Sequence, residues 1–309
     1  METQSEEQIN PLQEFIRKEV LPLIEEEDRY RQKFKNRFWF YSGLLLFINC
    51  INTLIVLFQY LIYNRPVSGS QLFLIALVSV FILLWYAQKA QKKKLPDVLA
   101  KFIRFYGNWT VSYSKEVTTF SDELIPHSGR KIEKTAIRGD DNTSLVMKQF
   151  VFLKRLYKNM FTKNGGGIWL DIKLAQKAPG KLILFEKGGF YKKKKYEGLE
   201  LVSSNIGISN HFYSFTDSRQ LSEYVVRVVL FENILDLKEV FKASKIYVRI
   251  ENDRLNVFLQ NGRFLYNNSS LWHFSGGEKK LMLLHEQIEK IFTAVKVIET
   301  LIETAVVDV

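Results

Sequence analysis

From Phe38 to Tyr63 the chain carries no charged side chain: FWFYSGLLLFINCINTLIVLFQYLIY. A short turn, NRPVSGS, follows, and QLFLIALVSVFILLWYA then runs on to Ala87. As helices rising 1.5 Å per residue, the first stretch is about 39 Å long and the apolar core of the second about 25 Å. A bilayer's hydrocarbon core is roughly 30 Å thick, so both are read as crossing it, the first with length to spare. The chain is thus expected to hold a transmembrane helical hairpin over residues 38–88, with spans at about 38–63 and 70–88. Beside it there is room for one soluble domain of about 200 residues, enough to bury a core.

The flanks of the hairpin give an orientation. Residues 1–37 read as an amphipathic helix, since Leu12, Phe15, Ile16, Val20, Leu23 and Ile24 recur at three- and four-residue spacing, with a kink predicted at Pro22. An acidic run, Glu25 to Asp28, reads as a solvated face. The basic run Arg29, Arg31, Lys33, Lys35 and Arg37 abuts the first span, and Lys89, Lys92, Lys93 and Lys94 follow the second, while the turn holds only Arg65. This positive-inside pattern predicts an inner-membrane protein with both termini cytoplasmic. Trp39, Tyr41, Tyr60, Tyr63, Trp85 and Tyr86 stand where interfacial aromatic belts belong. The N-terminus, METQSEEQINPLQEF, lacks the basic start and short apolar core of a secretory signal, so the first span is expected to be retained.

Within the first span Asn49, Asn52 and Gln59 are spaced by three and seven residues, which predicts one helix face. Amides in hydrocarbon need partners, and Ser79 on the second span is a candidate. The expected role is helix packing, within the hairpin or between copies. A channel is not expected, because two helices alone cannot enclose a pore.

Past the hairpin the fold class reads as α+β with a mainly antiparallel sheet, because strands and helices follow one another without regular βαβ alternation. Residues 89–108 are a juxtamembrane segment with a short helix whose stripe is Val98, Phe102 and Phe105, and 109–309 form the cytosolic domain. WTVSYSK reads as a strand and SDELIPHSGRKIEKTAIRGDDNTS as loop; residues 145–160 fit either a helix or a strand, with strand preferred. GIWLDIKLA and KLILFEK read as a hairpin about the turn QKAPG, and LELVS and SNIGISNHFYSFT as further β segments. Asp217 is the expected N-cap of a helical stretch that breaks near Glu232–Asn233. KIYVRIENDRLNVFLQN, turning at Asn252–Asp253, is the sharpest hairpin pattern, and the chain closes on a helix from Glu278 to about Thr304.

No catalytic set emerges. FSGGEKKLMLL, Phe274 to Leu284, is superficially similar to the signature loop of ABC-type ATPases, but the chain has no GxxxxGK followed by Ser or Thr. That loop reads as a turn with Ser275 capping the last helix. Gly165–Gly167 precede a strand, so they cannot aim a helix N-terminus at a phosphate, and Asp140–Asp141 read as a turn. His127, His211, His273 and His285 are scattered, no GxSxG elbow occurs, and the single cysteine, Cys50, excludes an intramolecular disulfide and a multi-cysteine metal site. No cofactor and no metal is expected. The net charge is +11, and residues 89–309 supply the whole basic excess. Its densest point, Lys192, Lys193, Lys194 and Lys195 between Tyr191 and Tyr196, reads as a solvated hairpin tip; anionic lipid headgroups, or nucleic acid, are the alternative partners.

Several of these stretches carry a resemblance. LPLIEEEDRYRQK before the spans, GIWLDIKLAQKAPGKLILF, the run LELVSSNIGISNHFYSFTDSRQLSEYVVRVVLFENILDLKEV and the hairpin KIYVRIENDRLNVFLQ resemble the bacterial membrane-protein family catalogued as domain of unknown function 3137. The likeness covers nearly the whole chain. It departs after the LE dipeptide, where SSNIGISNHF replaces the family's acidic Phe-centred run, and at IRGDD, so the chain looks like a divergent member. The resemblance implies no activity, cofactor or catalytic residue, and it implies a LemA-type membrane protein as a partner. The expected function is a non-catalytic, membrane-anchored scaffold or binding module at the cytoplasmic face of a bacterial membrane. A lipid- or nucleic-acid-responsive basic module, or an enzyme with an unrecognised site, is the alternative.

Overall fold

A computed structural model describes residues 11–63, 69–91, 97–114, 116–120, 122–125, 129–139, 145–157, 160–188, 196, 198–201, 211–221, 228–263 and 277–307. The chain divides into two compact units, residues 1–98 with 267–277, and residues 99–266 with 278–309.

In the first unit α1 (Pro11–Phe15) passes through a π-helical turn, Ile16–Val20, into α2 (Leu21–Tyr63), one helix that includes both the amphipathic segment and the first apolar stretch. Pro22 has no N–H to give the carbonyl of Lys18. Where a kink was predicted, the ladder widens to π spacing just upstream and the helix continues. The acidic run is not wholly a solvated face: Glu27 is buried and pairs with buried Arg31 one turn on, at 2.6 Å. Helix α3 (Gly69–Gln91) returns antiparallel to α2, with Tyr86 against Phe34 and Tyr41 at centroid distances of 5.7 and 5.3 Å. Among the described residues, α2 contains one stretch long and apolar enough to cross a membrane, near the N-terminus. The apolar part of α3, Phe73–Gln88, is shorter than the roughly 20 residues a straight crossing takes.

The second unit is α+β. Helix α4 (Val98–Ile103) and a 3-10 turn, Arg104–Tyr106, lead to β1 (Thr110–Tyr113), β2 (Val117–Phe120), β3 (Gly129–Arg138), β4 (Leu145–Tyr157) and β5 (Met160–Lys173). Then come β6 (Leu182–Glu186), β7 (Glu200–Leu201), β8 (Phe212–Thr216), α5 (Val228–Val240), β9 (Lys245–Glu251), β10 (Arg254–Gln260) and α6 (Gly277–Val307). The strands form one sheet in the order β1-β3-β4-β5-β10-β9-β6-β8-β7, with β2 also on β3. The described pairings are all antiparallel.

Both faces of the central strands are apolar. On β9 and β10, Ile246, Val248, Ile250, Leu255, Val257 and Leu259 point one way and are buried. Leu145 and Ile172, on that same face, share a groove with Ile291 and Val295 of α6. The inward stripe of α6 is Leu281, Leu284, Ile288, Ile291, Ala294, Ile298 and Leu301, at three- and four-residue spacing. The opposite face carries an aromatic cluster: Phe150, Phe152, Phe185, Phe215, Tyr247 and Phe258, covered by Leu124, Ile125 and Tyr196.

Several sequence expectations are corrected. The proposed hairpin of GIWLDIKLA with KLILFEK does not pair; β9 and β10 lie between β5 and β6. The QKAPG connection instead follows the β9–β10 turn, where Leu174 N–H donates to Asp253 O (2.8 Å) and Ala178 N–H to Asn252 O (2.7 Å). The segment read as loop, residues 121–144, contains the ten-residue β3, whose alternation is carried by charged and small residues. Helix α5 passes Glu232–Asn233 unbroken, because the Asn233 amide bonds back to Val229 O (2.8 Å) while Leu230, Phe231 and Ile234 are buried. Ser218, not Asp217, accepts the Leu221 N–H, and Asp217 accepts the Lys181 N–H (2.7 Å) across to β6. In the short α4 stripe Val98 and Phe102 are buried but Phe105 is exposed. Of residues 145–160, the described ones are strand, 145–157 as β4 and 160 at the start of β5, and the β9–β10 hairpin is in register from Lys245–Gln260 to Glu251–Arg254. Ser275 and Asp140–Asp141 lie outside the described residues.

The close approach of β10 to β5 sets one test. A Cβ at Gly167 would stand 2.5 Å from Leu259 O and from the Phe258 ring, whereas one at Gly43 on α2 meets open space. Gly167→Ala is expected to destabilise the second unit by about 1–3 kcal/mol, read as a lower urea midpoint, while Gly43→Ala leaves that midpoint unchanged.

Candidate functional site

The largest convergence of charge among the described side chains lies on the aromatic face of the sheet. Arg249 on β9, Asn256 on β10 and Asp171 on β5 are cross-strand neighbours in one row. Two Arg249 N–H groups donate to Asn256 Oδ1 (3.2 and 2.7 Å), and Asn256 Nδ2 donates to Asp171 Oδ1 (3.0 Å). Arg254 reaches the same Asp171 oxygen at 3.3 Å. Arg249 Nη1 meets Glu123 at 3.0 Å, Nη2 also reaches Asp122 at 3.4 Å, and Lys181 joins Glu123 at 2.7 Å.

Arginine suits this position because its planar fork can serve carboxylates and an amide at once and never loses its charge. The Asp122–Ile125 turn is amphipathic along its length. Asp122 accepts the Leu124 N–H (2.8 Å) and faces Arg249, whereas Leu124 and Ile125 fill the aromatic cluster. Tyr196 ties the same turn from the far side, donating to Glu123 O at 3.0 Å. The charges are thus consumed in mutual pairing, and their mechanical effect is to hold a plug over the aromatic face. Burial pushes the Glu123 carboxyl up, but hydrogen bonds from Lys181 and Arg249 outweigh it and hold the group below its ordinary 4.5. Nearby, Lys131 lies over the Phe150 ring (4.8 Å), and burial and then Lys148 hold its ammonium below the usual lysine range.

Two further arrangements escaped sequence reasoning. Glu186 gathers Lys238 of α5 (2.6 Å), Lys245 (3.3 Å) and the Ile246 N–H (3.1 Å), fastening α5 to the sheet. Tyr106 and His285 Nδ1 lie 2.5 Å apart beside Trp109, although 179 positions separate them. Burial, and then the Glu289 carboxylate, push the Tyr106 hydroxyl up, so it keeps its proton beside the imidazole. Of the other histidines His211 is exposed, and His127 and His273 lie outside the described residues. No group of three or more metal-ligating side chains with suitable geometry occurs among the described residues. A groove of about 360 Å³ at α5 and α6 contains the Lys290–Asp236 pair (2.6 Å) with Glu239 and Glu286.

The sequence-predicted amides separate. Asn49 Nδ2 donates to Ser79 Oγ across the helix pair (3.0 Å) and to Leu45 O (2.7 Å). Asn52 is half-buried one turn along, and Gln59 is exposed. Lys192, Lys193, Lys194 and Lys195 lie outside the described residues, as does Tyr191, while Tyr196 is a core side chain stacked on Phe215 at 5.5 Å.

The Glu123 pairing predicts a pH dependence. A carboxyl whose folded pKa is depressed adds stability that is complete above its ordinary 4.5 and is lost as the pH falls through the folded value. Glu123→Gln is expected to flatten the acid limb of a plot of urea midpoint against pH. Arg249→Met, which strands Glu123 and Asp122 over the sheet, is expected to cost about 1–3 kcal/mol at neutral pH. An unchanged midpoint in Arg249→Met would show that the plug holds without its charges.

No family model matches the chain, and no curated protein matches it. Among solved structures it is similar to the crystal structure of the mycobacterial trehalose monomycolate transport factor A, TtfA, at 9% identity and a TM-score of 0.35, over 65% of this chain and 97% of that one. A likeness at that level carries no argument for either fold or activity.

Proposed function

We propose that the chain is a membrane-anchored, non-catalytic scaffold or binding protein of a bacterial inner membrane, with α2 and α3 as a transmembrane hairpin and both termini on the cytoplasmic side. The observation that carries this reading is the outward surface of the helix pair. Leu46, Leu54, Leu61, Phe73 and Phe81 are exposed to 62% or more, an apolar sheath that water would penalise and hydrocarbon accommodates. Trp39 and Trp85, exposed on the two helices, fall at the same end of the antiparallel pair, as an interfacial belt requires. Lys33, Lys35, Arg37 and Lys89 cluster in sequence at that end too, which supports the cytoplasmic placement. The assignment to the domain of unknown function 3137 family, as a divergent member, and a LemA-type partner are part of the same proposal.

A scaffold or binding role is supported by the chemistry of the second unit, where the converging charges close on one another and on a structural turn. The basic-run reading is kept as a second function, in its lipid form. Tyr196, one of the two rings that would stack on bases, is instead packed in the aromatic cluster, which favours anionic headgroups over nucleic acid.

Two measurements test these readings. The protein is expected to stay in the membrane pellet after carbonate extraction, and its second unit to be digested in inverted vesicles but protected in intact spheroplasts. Extraction into the supernatant would overturn the anchor, and digestion from outside alone would reverse the orientation. Changing Lys192–Lys195 to Ser is expected to flatten the salt dependence of vesicle binding by the detergent-solubilised full chain; an identical profile would remove the lipid role.

A further inference from the structure

The side of α2 that meets α3 is the half-buried row Ser42, Leu45, Asn49, Asn52 and Val56, advancing by three and four residues as a packed helical seam does. Immediately beside it runs a second row with the same spacing: Ile48, Asn52, Ile55 and Gln59. Its isoleucines are 42% and 49% exposed, on the flank of the pair rather than its crest. Asn49 spends its amide on Ser79 and Leu45, but neither Asn52 nor Gln59 has a hydrogen-bond partner among the described residues. Asn52 lies mid-way along the uncharged stretch, where no headgroup or water reaches it if α2 spans a bilayer.

We infer that this second row is the contact between two copies of the chain, paired in parallel about a twofold axis along the membrane normal. The inference rests on the hairpin reading given above. Every copy inserted with one topology runs its α2 in the same direction, so a twofold brings like residues face to face. Isoleucine then meets isoleucine at 48 and 55, and amide meets amide at 52 and 59. An amide carries a donor and an acceptor, so Asn52 and its copy satisfy each other reciprocally, which no apolar partner can do. A buried asparagine in an otherwise β-branched row also fixes register and number, and it favours a dimer over larger assemblies. Gln59, nearer the end of the span, adds a second such pair.

The native cysteine supplies a control. Cys50 is two residues from both Ile48 and Asn52, about 160° away around the helix, so it faces away from the proposed contact. In membranes holding the full chain, mild oxidation is expected to leave the native protein as a monomer on non-reducing gels. Ile55→Cys in a Cys50→Ser background is expected to give a disulfide-linked dimer of this chain. Adding Asn52→Leu to that variant is expected to lower the linked fraction about fivefold. Gln59→Leu, farther from the seam with α3, is expected to lower it less. The inference is overturned if Ile55→Cys does not link, if Cys50 links as well as it does, if Asn52→Leu changes nothing, or if the linked species contains another protein. Carbonate extraction of the same membranes separates the two readings: a pelleted but unlinked protein sinks the dimer alone, whereas a soluble protein sinks the anchor and the dimer together.

Discussion

The second unit depends on one insertion. The β9–β10 hairpin sits between β5 and β6, two strands that are consecutive in the chain, and both take their register from it. The turn is tight because Asn252 takes a left-handed conformation (φ 54°), which asparagine tolerates better than most residues. The outgoing backbone of the β5–β6 connection is then tied to that turn through Asn252 O and Asp253 O. With these bonds made, alternation does the rest. One parity of side chains, Ile246 to Ile250 and Leu255 to Leu259, is delivered to the helical side, and the other is delivered to the aromatic face. The row Arg249–Asn256–Asp171 and the row Tyr247–Phe258–Trp169 follow from that same register, two residues apart. A slip of one residue would put Arg249 among the helices and Val248 beneath the acidic turn.

How far the sequence could be read follows from which signals are local. The β9–β10 hairpin was legible because both arms alternate and the turn residues lie between them. The β5–β6 segment also carries a hairpin pattern, with a Pro-Gly turn and two apolar arms, yet nothing local says whether adjacent strands close on each other or admit a guest pair. Strand β3 was hidden because its residues Lys131, Glu133 and Arg138 look like a solvated loop; Lys131 lies over Phe150 with its stem buried, and Glu133 meets Lys148 at 3.6 Å. The DELI turn was likewise passed over as loop. Its pairing of two carboxylates with two apolar side chains was a signal in hindsight, since such a segment can plug an apolar face only beside a basic residue.

The helices show the complementary pattern. Composition alone marked the uncharged stretch of α2, and Ser79 was a candidate partner for its three amides, of which Asn49 is the one that pairs with it. What spacing could not give was the division of the amides between a seam already filled and a flank left open. Three residues separate Asn49 from Asn52, a rotation of about 60°, and that is enough to place one centrally on α3 and the other at its margin. Pro22 is similar: its missing N–H was predictable, but a kink and a π turn both satisfy the constraint, and packing of Ile16, Val20 and Ile24 on one side accompanies the π turn.

The two units meet the same physical demand by different means. A polar group set among apolar neighbours must find a partner, and in the sheet the register supplies one: Arg249, Asn256 and Asp171 are consecutive in a row, and the acidic turn closes the end of it. A sheet can do this internally because each strand has a neighbour on either side. A helix pair has only one mutual seam. Asn49 uses it, and any amide on the adjoining row must look outward, to another helix rather than to solvent if the surface is sheathed in lipid. Amides at 52, on the margin of the seam, and at 59, exposed on its flank, are therefore better explained by association than by the stability of the hairpin itself. Their cost in an isolated hairpin and their complementarity in a paired one are two aspects of the same placement.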